Sequence, residues 1–203
     1  MQRSILVLYA HPRTERSQAN RRLKRVAEGV DGVTVVDLYA EYPTYEINVD
    51  REQERLSRHD AIVFQHPVYW YSAPALLKEW IDLVLEWRWA YGPEGDALRG
   101  KLWLNAVTAG GSKAAYGPEG RNRLDLRALF APFEQTAMLC GMTYLPPFAL
   151  FEANDRRERA VLDAHAAGYA KLLRDLRERT IDIESVSALR GLAATYCKPV
   201  KKG

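Results

Sequence analysis

The sequence predicts an α/β protein: a doubly wound, five-stranded parallel sheet in the spatial order 2-1-3-4-5, with helices on both faces. Three observations carry this. Five short apolar, β-branched runs alternate with helical patterns, the signature of strands joined by crossover helices. The runs are near-continuously apolar, as strands covered on both faces must be. The chain has 203 residues, 47% of them hydrophobic and 27% charged, which suits one domain with a sizeable core.

Each element follows from its local pattern. Residues 4–10 (SILVLYA) read as a buried strand. Residues 17–28 read as a helix, with Ser17 as N-cap and Ala19, Leu23, Val26 and Ala27 on one apolar face. Residues 33–39 (VTVVDLY) form the second strand. Residues 51–58 suggest a short, charged helix with little apolar surface. AIVFQ (61–65) is the third strand, and 74–87 a strong helix with Pro74 near its start, where a missing N–H costs nothing. KLWLNAVTA (101–109) is the fourth strand. Residues 125–142 read as one helix disturbed by Pro132. TYLPPFALF (143–151) is a fifth strand, and Pro146 and Pro147 argue for an edge position. Residues 156–179 read as a long helix whose buried stripe is Val161, Leu162, His165, Tyr169, Leu172, Leu173 and Leu176. Residues 1–180 thus form the main domain. Residues 181–203 form a C-terminal extension without a clear element: a short helix within SVSALRGLAA, then the basic tail KPVKKG. The hexapeptide AYGPEG occurs at 90–95 and at 115–120 and reads as two independent Gly-Pro turns.

Composition narrows the function. A net charge of +3, dispersed over helical faces, gives no nucleic-acid footprint. Cys140 and Cys197 are far apart and lack CxxC spacing, which suits a reducing, cytoplasmic compartment. The apolar run at the N-terminus is too short for a membrane span and carries no signal-peptide pattern. His11, His59, His66 and His165 show no metal-ligand spacing. His165 reads as a packed stripe residue, His66 as a support for its neighbouring loop, and Cys140 as inert. Neither GxGxxG nor GxxxxGK[ST] is present, which argues against a Rossmann dinucleotide and a P-loop nucleotide.

Five strands favour the flavodoxin-like form of the doubly wound sheet, in which ligands lie beyond the C-terminal ends of strands 1, 3 and 4. Three loops meet there. The first, AHPRTERSQAN, leads into a helix N-terminus whose free N–H groups and positive dipole suit a phosphate. Ser17 and Asn20 add side-chain donors there, and His11 a donor or a charge. The second, HPVYWYSAP, puts Tyr69, Trp70 and Tyr71 in a strand-to-helix turn, where they suit a flat apolar ring or a subunit interface. Trp80, Trp87, Trp89 and Tyr91 downstream extend the apolar surface. The third, TAGGSKAAYGPEGRN, offers close backbone approach at Gly110 and Gly111 and the hydroxyl of Tyr116.

Together the motifs YAHPxxxxSxAN, QHPxxWYSxPxLLKxWID, WAYGxxG and CGMxYLPPF resemble the flavodoxin-like NAD(P)H:quinone oxidoreductases, from about residue 4 to residue 180. The nearest resemblance is to the bacterial ancillary proteins of glutathione-gated potassium-efflux systems. The resemblance implies FMN (FAD in animal relatives) and a homodimer with the flavin at its interface. It implies an NAD(P)H dehydrogenase that takes hydride from NADPH or NADH and passes it to a quinone in ping-pong fashion. It places the FMN phosphate on His11 and the turn of Ser17, Gln18, Ala19 and Asn20. The isoalloxazine edge falls on Pro67, Val68, Tyr69, Trp70 and Tyr71, and the pyrimidine side on Thr108, Ala109, Gly110 and Gly111. Gly110, Gly111 and Tyr116 are the catalytic candidates, stabilising negative charge at flavin N1 and O2. Two departures stand out. Relatives often carry Thr-Thr-Gly-Gly where this chain has Thr108-Ala109-Gly110-Gly111. Asn122 replaces a His six residues after Tyr116, and Asn takes up no proton near neutral pH. The alternatives are a regulatory subunit of a membrane potassium-efflux transporter, peripheral to the inner face of the membrane, and a reductase of azo or nitro compounds. A one-electron flavodoxin carrier fits poorly, since such carriers are acidic and this chain has a pI near 8.8.

Overall fold

A computed structural model describes residues 2–153 and 158–197; the 198–203 tail and the first residues of the 156–179 helix therefore lie outside the described residues. The chain order is β1 Ile5–Tyr9, α1 Gln18–Glu28, β2 Val33–Asp37, α2 Leu38–Glu41, α3 Val49–Ser57, β3 Ala61–Pro67, α4 Ala75–Val84 and β4 Leu102–Thr108. It continues with α5 Leu126–Leu129, α6 Ala131–Leu139, β5 Thr143–Leu150, α7 Arg159–Glu178, α8 Ile183–Ser187 and α9 Ala193–Tyr196. The strands form one sheet, β2-β1-β3-β4-β5, and every pairing is parallel. This is the flavodoxin-like order expected from the sequence.

Alternation within the strands divides the core. Leu6, Leu8, Ile62, Phe64 and Trp103 face one side, under α3, α4 and α6. Ile5, Val7, Val63, Leu104 and Phe148 face the other, under α1 and the Tyr169, Leu172, Leu173 and Leu176 stripe of α7. Each large side chain removed from water contributes about 1.5–3 kcal/mol, so the two layers together specify which helices cover which face. The register aligns Tyr9 with Gln65, Pro67 with Thr108, and Thr108 with Leu150. The C-terminal ends of β1, β3 and β4 therefore form one rim, and the loops leaving them are neighbours.

Several element boundaries differ from the sequence reading, each for a local reason. The second strand stops at Asp37, whose carboxylate accepts from the Ala40 N–H and starts α2. The fourth helix stops at Val84, because residues 86–91 fold back into a turn closed by the Arg88 N–H to the Tyr91 carbonyl at 2.8 Å. The 125–142 helix is broken at Phe130, and Pro132 falls in the first turn of α6, where a helix has no N–H to lose. Prolines 146 and 147 lie at the register shift of β5, which is an edge strand as expected. The two AYGPEG segments are both turns, closed by the same bond: Gly95 N–H to Gly92 O and Gly120 N–H to Gly117 O.

Two corrections concern burial. Trp80 is not part of an exposed aromatic surface; it is fully buried and donates to Glu52 Oε2 at 3.0 Å. Helix α3 is not merely a solvated charged face, since Glu52 within it is fully buried. Its carboxylate also accepts from the Tyr42 hydroxyl at 2.6 Å and from Arg55. An unpaired buried carboxylate would cost several kcal/mol; three donors offset that and pin α3 to α4. The described part of the C-terminal extension packs on the domain: α8 lies on β5 and α9 on β5 and α7, and Leu192 is fully buried.

Candidate functional site

The first loop supplies donors. Ser17 caps α1, and its hydroxyl oxygen accepts from both the N–H and the Nδ2 of Asn20 at 3.2 Å. With both acceptor positions used, the Ser17 proton is left to donate outward. The N–H groups of Gln18 and Ala19, in the first helical turn, have no intrahelical acceptor. Arg13 and Arg16, which sequence reasoning did not select, line the same place. Their signal was visible as two arginines just before a capped helix. The His11 Nδ1 accepts from the Arg13 N–H at 3.1 Å, so the ring proton sits on Nε2. Burial pushes the His11 pKa down, which keeps the ring neutral near pH 7. Asn20 ties this loop to the third: buried, it donates to Thr108 Oγ1 at 2.7 Å.

The second loop is strained. The N–H of Val68 donates to Thr108 O at 2.7 Å, and Tyr69 and Ser72 exchange backbone hydrogen bonds at 3.1 and 3.0 Å. Between them Trp70 and Tyr71 have φ of 48° and 66°. Two positive φ angles in a row are the pattern of a type I′ turn, normally filled by Asn, Asp or Gly. Holding two aromatic residues there costs about 1–2 kcal/mol each. The Trp70 side chain is 94% exposed, so folding of this chain does not recover that cost through its burial.

Beneath this turn runs a buried relay. The Trp103 Nε1–H donates to Asn105 Oδ1 at 2.8 Å, and the Asn105 Nδ2 lies 3.1 Å from His66 Nε2. The His66 Nδ1 lies 2.9 Å from the carbonyl of Pro67. The chain is consistent only with neutral His66 protonated on Nδ1: Nε2 accepts and Nδ1–H donates. Complete burial lowers its pKa to about 4.

The third loop presents bare backbone. The N–H of Ala109 donates to Leu150 O at 2.8 Å and its side chain is buried, so it serves the sheet and offers no donor to a ligand. Among the described residues, neither Gly110 nor Gly111 donates its N–H to any acceptor. A Cβ on Gly110 would meet nothing within 4 Å, whereas one on Gly111 would stand 3.3 Å from Tyr116 Cε2. Tyr116 packs on Phe151 with ring centroids 5.2 Å apart, and burial raises its phenol pKa. The Tyr71 hydroxyl donates to Asn122 Oδ1 at 3.4 Å.

These loops enclose a cleft of about 340 Å³, within the range of small-molecule sites. Of the residues expected at the cofactor, His11, Ser17, Gln18, Ala19, Asn20, Pro67, Val68, Tyr69, Thr108 and Gly110 line it. Arg13, Arg16 and Ala153 line it as well. Trp70, Tyr71 and Gly111 stand outside its wall, and Ala109 is packed behind it. Tyr116 lines a neighbouring cavity on the β5 side. The set at α1, two arginines on the lining with a hydroxyl and free N–H groups, fits a phosphate. The open backbone at Gly110 fits a ring edge carrying acceptors.

Comparison with known proteins gives a consistent picture. The glutathione-regulated potassium-efflux system ancillary protein KefG of Serratia proteamaculans is 46% identical over 171 residues, 84% of this chain and 93% of its own. The general stress protein 14 of Treponema denticola, solved in complex with FMN, is 35% identical with a TM-score of 0.81, covering 85% of this chain and 99% of that one. An NADPH-quinone reductase from P. pentosaceus is 31% identical with a TM-score of 0.75, covering 85% and 97%. A thermophilic tryptophan halogenase from Streptomycin violaceusniger is 42% identical with a TM-score of 0.76, covering 84% and 96%. These names span more than one reaction. The family described as flavodoxin-like fold matches residues 3–173, and the chain belongs to that family.

Proposed function

We propose that the chain is an FMN-dependent oxidoreductase of the NAD(P)H:quinone type. The observation that carries this is the convergence at one cleft of a phosphate-type donor set, the Pro67–Tyr69 wall that leads into the aromatic turn, and the bare N–H of Gly110. Arg13, Arg16, Ser17 and the N–H groups of Gln18 and Ala19 would hold the phosphate, with His11 Nε2 as a further donor. Residues 67–71 would lie along the ring, and the N–H groups of Gly110 and Gly111 would donate to its acceptor edge. FMN, when bound, supplies the two-electron chemistry between a nicotinamide donor, NADPH or NADH, and a quinone acceptor. FMN is preferred to FAD because the named FMN complex is among the similar structures. The role of this chain is to orient the ring, to place donors where negative charge develops, and to exclude water. Tyr116, beside Gly111, supplies a hydroxyl from the neighbouring wall.

Tyr69, Trp70, Tyr71 and Trp87 are exposed aromatics, and we assign them to contact with a second copy of the chain. A homodimer would cover the rings of the turn and close the cleft. The decisive experiment is an absorption spectrum of the purified protein, followed by FMN uptake and anaerobic titration with NADPH and a benzoquinone. Flavin bleaching by NADPH and recovery by quinone is expected. A protein that takes up no flavin overturns the proposal.

The similarity to KefG favours a second role that is compatible with the first: an ancillary subunit of a potassium-efflux system, held at the inner face of the membrane by its partner. Among the described residues no helix is long and apolar enough to cross a membrane, so attachment would go through the partner. Co-purification with a co-expressed efflux transporter tests this role directly.

A further inference from the structure

We propose that the cavity on the β5 side of Tyr116 is an apolar subsite that takes the hydrocarbon substituent of a quinone acceptor, and that the C-terminal segment sets acceptor preference through it. This rests on the quinone-reductase reading above. The cavity measures about 380 Å³, within the range of small-molecule sites. Its walls are mainly apolar: Leu126, Pro147, Ala149, Phe151, Leu189 and Ala194. Tyr116 lines this cavity, and its ring lies beside Gly111, the chain neighbour of the cleft-lining Gly110. An acceptor headgroup at the glycine loop would therefore have its substituent beside this opening.

The wall contributed by the C-terminus is fixed in place. Arg127 Nη1 donates to the carbonyls of Ser187 and Leu189 at 2.5 and 2.7 Å. The Leu192 N–H donates to Pro147 O at 3.1 Å. At Gly191 a Cβ would stand 3.2 Å from that same carbonyl, so the close approach suits glycine. The charges at the cavity do not ask for a charged occupant, because Arg190 and Asp125 pair with each other at 3.1 Å. Lys113 is the remaining cation on the lining. A neutral hydrocarbon matches such a lining, and each methylene buried is worth about fourfold in affinity. The wall at Leu189 to Ala194 lies beyond residues 3–173, where the family match ends, whereas Tyr116, Leu126, Pro147, Ala149 and Phe151 lie within it.

The test uses the full chain, with and without FMN, titrated calorimetrically with duroquinone, which has no tail, and with decylubiquinone. Decylubiquinone should bind roughly tenfold tighter, after the losses of ordering a flexible chain. Ala194→Trp, at an exposed position on the cavity wall, should abolish that advantage by filling the space. Leu189→Glu, at a position 37% exposed, should abolish it by charging the wall. Duroquinone binding should be unchanged in both. Equal affinity for the two quinones in the unmodified protein, or an advantage retained in both variants, overturns the proposal. The two readings fail separately. A protein that takes up no FMN sinks the quinone-reductase reading, yet the tail advantage still reports on the cavity. A flavoprotein that reduces both quinones without a tail advantage keeps that reading and loses this one.

Discussion

Acidification should loosen the aromatic turn through His66, and the size of the effect follows from the relay beneath it. In the folded chain His66 is neutral, with Nε2 accepting from Asn105 and Nδ1–H donating to Pro67 O. Protonation converts Nε2 into a donor facing another donor. The ordinary value of 6.5 falls to about 4 on folding. At about 1.36 kcal/mol per pH unit, the full penalty is about 3 kcal/mol. The sign is that of a depressed pKa: below 6.5 the unfolded chain binds the proton that the folded chain refuses. Stability therefore falls as pH drops from 6.5 toward 4, and is unaffected by His66 above that window. At about pH 5 the loss amounts to about 2 kcal/mol, a large part of the 5–15 kcal/mol typical of a domain. Urea unfolding followed by tryptophan fluorescence, at about pH 7.5 and about pH 5, measures it. His66→Gln keeps a donor and an acceptor without a titrating proton. The unmodified protein should lose about 2 kcal/mol more than this variant between the two pH values, since all other titrations cancel in the difference. Equal losses would show that His66 is not held neutral and would refute the relay.

Tyr116→Phe should slow flavin reduction by NADPH about tenfold while leaving FMN affinity nearly unchanged; an unchanged rate in stopped-flow would remove the hydroxyl from catalysis. Thr108→Val leaves the buried Asn20 Nδ2 without its 2.7 Å acceptor, which should cost about 1–3 kcal/mol and weaken FMN binding, both readable by thermal shift with and without FMN. Trp70→Gly relieves a positive φ, so it should preserve or raise stability by up to about 1 kcal/mol while weakening FMN binding; a variant that unfolds more easily would mean the turn is held by contacts rather than strained. A charged replacement of the exposed Trp87 should give monomers by light scattering, and a persistent dimer would place the interface elsewhere; Trp89, partly buried against the core, is left intact.

Much of this was legible because strand and helix periods are local properties. Continuous runs such as AIVF announced the parallel sheet, and Ser17 announced the start of α1. The cleft was legible at one remove, since sheet order dictates which loops meet. What was not legible depended on contacts distant in sequence. Trp80 reads as another surface aromatic until Glu52, twenty-eight residues earlier, is seen to accept its N–H. Ala109 sits between the cleft-lining Thr108 and Gly110, yet its N–H is taken by Leu150 on the adjacent strand. Residues 181–197 show weak periodicity because each helix there is only a turn or so, held by Arg127 and Leu192 rather than by its own pattern.

The buried carboxylate of Glu52 changes how variants of this protein should be read. Helix α3 carries mostly charged residues, and a survey of tolerated substitutions would treat it as interchangeable surface. Yet Glu52 holds Trp80, in the middle of the helix that begins directly after the aromatic turn. Loss of that one acid would register in an activity screen as a defect of the cleft, although its side chain bonds to Tyr42, Arg55 and Trp80 and lines no part of the cleft. Such a variant, found in a selection, would be misfiled as a binding mutant. Its diagnosis would come from reduced thermal stability in the flavin-free protein, partly restored by excess FMN.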